Sequence, residues 1–339
     1  MNEKTKILEM LKEGKISVED SLKLMEAIEE PIKEVPKKSE SFTSKLSELI
    51  DDITENVTKA VEGVAVNLDF EGFNNRDYVD SKHFIFTSSI PEVIESLKLK
   101  GKNGAVKVEG YHGSVIEIRG DYKPRMGKIA DIKLIEENGR LELDYDPNAV
   151  KYLSIEARIP NVFINEIDAF STNSTICIED ITAKDIYAKT TNSGISIENT
   201  QANLLDLSSS NGKISVEDTK AEKAKISTSN STIKLEGVYI TETNARTSNG
   251  KISIEYLEPI DTEAVVDAQT SNGTIVVEAG NTALKFRAST SNGRIATEGI
   301  YNFLENSKTF VEAGNPNFDE AMKKVKMNLS TSNGNIKIK

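Results

Sequence analysis

The stretch Thr247-Ser248-Asn249-Gly250-Lys251-Ile252-Ser253-Ile254-Glu255 decides the fold, because it recurs along the chain. Aligned on its asparagine, the sequence returns Asn173, Asn192, Asn211, Asn230, Asn249, Asn272, Asn292 and Asn333. The first five stand 19 residues apart, and the gaps that follow are 23, 20 and 41. A constant period of this size marks a repeat architecture, in which each unit buries its apolar face only against its neighbours. The gap of 41 is about two periods and predicts a coil that has lost the motif or carries an insertion.

Inside the unit the pattern has period two. Ile176 and Ile178, Ile195 and Ile197, Ile214 and Val216, Ile233 and Leu235, Ile252 and Ile254 follow their asparagines by three and five positions. The residue between is small or polar, as in Ser196, Ser215 and Ser253. A second alternation precedes each asparagine, for example Leu205 and Leu207 or Ala224 and Ile226. Two strands per coil, each with one face inward, satisfy this pattern. They meet at a Ser-Asn-Gly corner where Gly212, Gly250, Gly273, Gly293 and Gly334 are expected to supply φ > 0. Stacking should align the eight asparagines into a ladder of side-chain amides. The expected fold is mainly β: a single-chain parallel β-solenoid of ~19-residue coils over residues 80–339. It has room for roughly a dozen coils at about 4.8 Å each. Residues 100–160 read as degenerate coils, with Asn103-Gly104, Gly113-Ser114 and Asn138-Gly139 before alternating strands. Around Asn315-Pro316-Asn317 the pattern breaks, and Phe318–Lys324 reads as a short helix leaving the stack. The last strand, Asn335–Lys339, reads as an exposed edge guarded by its lysines.

Upstream the period changes to helical. Ile7, Leu8, Leu11 and then Leu22, Leu24, Met25, Ile28 predict a helical hairpin over residues 1–30, broken at Gly14 and re-started at an N-cap, Ser17. So small a unit needs a partner, which suggests oligomerisation or docking. Residues 31–41 carry two prolines and read as a linker. Residues 42–64 form an amphipathic stretch with Phe42, Leu46, Leu49, Ile50, Ile53, Val57, Val61 and Val64 on one stripe, expected to cap the solenoid. Acid outnumbers base on its polar face, so a membrane-surface role is not favoured.

Composition narrows the function. Aromatics are 6% with no tryptophan, which suits a narrow interior of stacked aliphatics. A net charge of −12 argues against nucleic acid. With Cys177 alone, no intramolecular disulfide can form. No signal peptide or run of 18 apolar residues is found, so the expected location is cytoplasmic, with cell-surface association as the rival.

Six positions after each of the first seven asparagines stands a carboxylate: Glu179, Glu198, Glu217, Glu236, Glu255, Glu278 and Glu298. Asp180 and Asp218 extend this row. It could bind a cationic partner or divalent cations, but a one-dimensional row gives fewer oxygens than calcium needs, and the favoured reading is a solvated edge. The Thr/Ser/Asn band at the corners could bind glycans, although turn and ladder formation account for it. His83 and His112, the two histidines, have no partner at motif spacing. No catalytic residue, cofactor site or metal site is assigned, because repetition is present where catalysis needs a unique cluster.

The units Ser-Asn-Gly-Lys-Ile-Ser-Ile-Glu, with Ser154–Pro160 before them, resemble the bacterial "putative adhesin" family of β-strand-repeat proteins. Ile7–Asp20 resembles the short helical oligomerisation-type domain that often precedes it in Gram-positive bacteria. The resemblance implies a non-enzymatic solenoid, linked in some members to the cell-envelope stress response. The expected function is therefore an interaction scaffold that binds a protein partner along the solenoid and self-associates through residues 1–64. An envelope adhesin or glycan-binding protein is the alternative, and a polysaccharide-active β-helix enzyme comes third.

Overall fold

The computed structural model describes residues 81–89, 93–255, 263–278, 280 and 282–339. The hairpin, linker and amphipathic stretch expected over 1–64 lie outside them.

Each coil supplies a long strand to one sheet and a short strand to the other. Gln201–Ser209 and Ile214–Glu217 make one coil, Lys220–Thr228 and Ile233–Glu236 the next. Successive coils pair in parallel and in register, with Leu205 opposite Ala224 and Ile214 opposite Ile233. Among the described residues the sheets contain 13 and 12 strands. Between them the apolar columns meet. Ile176, Ile195, Ile214, Ile233, Ile252, Ile275 and Ile336 form one such column, each at most 2% exposed. Burying each isoleucine contributes about 1.5–3 kcal/mol, and the columns repeat that gain at every layer.

The corner is held by hydroxyls. The Thr or Ser two places before each asparagine is buried and donates to a backbone carbonyl of the neighbouring coil. Thr228 donates to Gly212 (3.1 Å), Thr270 to Gly250 (3.0 Å) and Thr331 to Gly273 (2.9 Å). The corner glycines do not take positive φ, contrary to the sequence expectation. Their reason is close approach. A Cβ on Gly273 would lie 1.7 Å from the Gly250 carbonyl oxygen, and one on Gly212 1.5 Å from that of Ser193. Left-handed backbone falls instead at the second corner, seven places after the asparagine, at Asp180, Asn199, Asp218 and Gly237, and at the first corner it falls on an asparagine, Asn103, rather than on a glycine. Asp, Asn and Gly are the residues that tolerate it.

The order of layers departs from the order of the chain at both ends. The C-terminal coil, Lys324–Thr331 with Ile336–Ile338, is inserted between the coil of Glu263–Thr270 and that of Ala283–Thr290. Its last strand is therefore an interior strand and not an exposed edge. The outer long strand is instead extended by an antiparallel hairpin, Asn302–Asn306 with Phe310–Gly314. The 41-residue gap holds this hairpin. Phe318–Lys324 is not a helix: Asn315, Pro316 and Asn317 start turns closed by Phe318 N–H to Asn315 C=O and Ala321 N–H to Asn317 C=O, and Lys324 already begins a strand.

The other end mirrors this. Ser96–Lys100 and Asn103–Tyr111 are inserted between the layer of Arg140–Tyr145 and Val150–Pro160 and that of Ile164–Phe170 and Ile176–Glu179. Asn103-Gly104 is thus a full corner of the stack. Gly113-Ser114 and Asn138-Gly139 are not coil corners. They lead into antiparallel strands, Val115–Pro124 against Val150–Pro160 and Ile132–Glu137 against Arg140–Tyr145. Asn138 and Gly139, at φ 51° and 75°, suit a two-residue hairpin turn. Among the described residues ten layers carry a strand in both sheets, fewer than the dozen expected, because antiparallel additions take the outermost places at both ends of the 13-stranded sheet and at one end of the 12-stranded sheet.

Candidate interaction face

The asparagines lie in a single line at the first corner. Asn192 donates its side-chain amide to Asn173 (2.6 Å), Asn211 to Asn192 (2.8 Å), Asn230 to Asn211 (2.7 Å), Asn249 to Asn230 (2.8 Å) and Asn272 to Asn249 (2.7 Å). The line continues in spatial order: Asn333 donates to Asn272 and Asn292 to Asn333, both at 2.7 Å. Asn173 donates to Asn103 (2.6 Å), a rung the sequence reading left out. The ladder satisfies one amide with the next and holds each coil in register.

The glutamates follow from the same registration. Glu179, Glu198, Glu217, Glu236, Glu255 and Glu278 stand opposite one another on adjacent short strands, facing outward. Glu109 joins at one end, opposite Glu179, and Arg158 stands opposite Glu109. At the other end Lys339 reaches Glu278 at 2.9 Å, and the Glu298 N–H bonds to Ile338 just beyond it. Sequence reasoning missed Glu109 and Lys339, yet the signal was there: each follows its asparagine, Asn103 or Asn333, by six. Asp180 and Asp218 do not extend the row. They turn the second corner, where Asp180 accepts from the Asn199 amide at 2.5 Å.

Neighbouring carboxylates about 4.8 Å apart repel, and lysines one column inward offset this. Lys107 lies 2.9 Å from Glu109 and 2.5 Å from Glu179. Partial burial pulls its pKa down, but the hydrogen bonds to Glu109 and Glu179 outweigh this and hold it above the ordinary lysine value. Lys234 pairs with Glu236 and lies 3.6 Å from Glu217. The Ser215 hydroxyl, 2.8 Å from Glu217, keeps that carboxyl below its usual value, with burial opposing and Lys234 assisting. Glu198 and Glu255 are exposed and have no ion pair among the described residues. The row is thus seven carboxylates against three ammonium groups, with its unmatched charge at Glu198 and Glu255.

Other candidate groups lie apart from this row or are quenched. Burial first, then the Glu179 carboxylate, push the Cys177 thiol above its ordinary pKa, so it stays protonated and weakly nucleophilic. His83 pairs with Asp121 on the adjacent antiparallel strand, and His112 contacts Asn161 at 3.0 Å. Among the described residues no cluster of three or more His, Cys, Asp and Glu side chains could hold a metal ion. No helix among them is long and apolar enough to cross a membrane. Ser227, Arg246, Gln269 and Ser330, which stand opposite one another on adjacent long strands, line an open trough of about 360 Å³ together with the corner residues Ser248, Ser271 and Ser332.

Two parallel sheets, one coil per layer, with aligned asparagine, threonine and glutamate columns, define a two-faced β-solenoid. The chain belongs to the Toastrack DUF4097 family, whose model matches residues 131–339. A SHOCT-like domain model matches residues 2–31. No curated protein matches the chain. Among solved structures, a "putative adhesin" from Bacteroides fragilis is 14% identical, covering 76% of this chain and 97% of that one with a TM-score of 0.41. A "putative adhesin" from Parabacteroides merdae is 12% identical, covering 77% and 98% with a TM-score of 0.42. A "putative cell adhesion protein" from Clostridium sporogenes is 12% identical, covering 76% and 99% with a TM-score of 0.28.

Proposed function

We propose that this chain is a non-catalytic interaction scaffold that binds a cationic protein partner along its glutamate row. The observation that carries the reading is the row's registration: carboxylates at one strand spacing, bracketed by Arg158 and Lys339, with Glu198 and Glu255 unmatched. A rigid ladder presents these charges pre-organised, so a partner loses little entropy in matching them. Electrostatic complementarity of this kind sets specificity and association rate more than affinity. Self-association through residues 1–64 would multiply weak contacts by avidity. On the resemblance noted above, the inferred setting is the bacterial cell-envelope stress response, with the chain in the cytoplasm. Binding of an oligolysine peptide to the full chain tests the charge reading. Glu198→Gln/Glu255→Gln should weaken it about five- to thirtyfold, from two exposed charges at about 0.5–1 kcal/mol each. Unchanged affinity would contradict it.

The serine-lined trough beside Arg246 and Gln269 supports the second reading, a glycan-binding envelope protein, since hydroxyls, an amide and a guanidinium suit polyhydroxylated ligands. Glycan-array binding that is lost in Arg246→Ala, with the protein recovered from the cell surface, would favour that reading over the first.

A further inference from the structure

The strand Val115–Pro124 leaves its sheet at one end of the stack and runs into Arg125-Met126-Gly127-Lys128-Ile129. This segment is a built turn. The Lys128 N–H donates to the Arg125 carbonyl (2.9 Å), and the Arg125 N–H donates to Ala149 (2.7 Å). Gly127 sits at φ +73°, the third position of a type II turn, which places Met126 at the apex. Met126 is 102% exposed and Ile129 93%, the two most exposed large apolar side chains among the described residues. Arg125 and Lys128 are exposed as well, and neither has an ion pair among the described residues. The five residues carry two positive charges and no negative one on a chain of net charge −12.

An apolar tip flanked by unpaired cations asks for a surface offering both anions and hydrocarbon. The glutamate row of a second copy would match the charge but not the apolar side chains, because its neighbouring outward column is Cys177, Ser196, Ser215, Lys234 and Ser253, followed by Val276, which is only 8% exposed. A nucleic-acid backbone fails in the same way. The headgroup region of an anionic bilayer supplies both.

We propose that the turn Arg125–Ile129 docks this end of the stack on an anionic lipid surface. Met126 and Ile129 enter the boundary between headgroups and acyl chains, and Arg125 and Lys128 pair with lipid phosphates. The chain's overall negative charge keeps the rest of the molecule off the same surface, which confines contact to the turn. The proposal does not rest on the glutamate row.

Co-sedimentation of the full chain with vesicles tests it, comparing equal phosphatidylglycerol and phosphatidylcholine with phosphatidylcholine alone at about 0.1 M salt. The expected result is partition to the anionic vesicles only, falling as salt rises. Arg125→Gln/Lys128→Gln should reduce it about 25-fold, from about fivefold per basic side chain near such a surface. Met126→Ser/Ile129→Ser should reduce it at least about tenfold through lost apolar burial. All four side chains are exposed, so the melting midpoint should stay where it is in both variants. Equal partition to both vesicles overturns the proposal. Partition unchanged in both variants also overturns it and assigns lipid binding elsewhere in the chain. No partition at all overturns it and leaves the turn to a protein partner.

Discussion

Thr243 breaks its own column. It stands in the interior between Ala224 and Val266, is 2% exposed, and its hydroxyl has no hydrogen-bond partner. A buried unsatisfied hydroxyl costs about 1–3 kcal/mol. Thr243→Val keeps the shape and removes that cost, so urea unfolding should show a gain of about 1 kcal/mol. A loss would mean the hydroxyl is satisfied in solution. The sequence pointed to the right positions, Gly212, Gly250, Gly273, Gly293 and Gly334, for the wrong physical reason. A lone sequence shows that glycine is needed, but close approach by a neighbouring coil and positive φ look alike until coils are stacked. The left-handed column at Asp180, Asn199, Asp218 and Gly237 was legible too, as a run of turn-forming residues, but two of its aspartates were absorbed into the acid row.

Among the elements, the short strands carry the charge pattern and its pH response. Glu217 is held below the ordinary carboxylate value of 4.5 chiefly by Ser215. Its folded value is depressed, so its stabilising share is present above the unfolded value and is lost as pH falls through the folded one, below about pH 4.5. In an NMR titration Glu217 should therefore have its midpoint below 4.5, and Ser215→Ala should move that midpoint up. A midpoint indifferent to Ser215→Ala would remove the hydrogen bond as the cause. The strands themselves were readable because period two and the 19-residue spacing agree at every layer. The antiparallel hairpins were not, because Asn138-Gly139 is as good a turn signal for a hairpin as for a coil.

For the stack as a whole, the period was legible but the layer order was not. The coils from Ile164 onward present the same asparagine, hydroxyl and isoleucine columns to their neighbours, so they are interchangeable and local pattern says nothing of sequence in space. The interleaving has a consequence for stability: Ala283–Gly314 is joined to the preceding layers through the C-terminal coil, which pairs on both its sides. The outer block thus depends on the last 16 residues of the chain, Lys324–Lys339. Paired cysteines test this order most directly. In a Cys177→Ser background, Gln269→Cys/Ser330→Cys joins residues that stand opposite each other, about 4.8 Å apart, within reach of a disulfide. Gln269→Cys/Ser289→Cys would be adjacent if layers followed the chain, but here they are separated by a strand, about 9.6 Å. Oxidation should close the first pair and leave the second reduced; closure of the second with the first left open would contradict the interleaved stack.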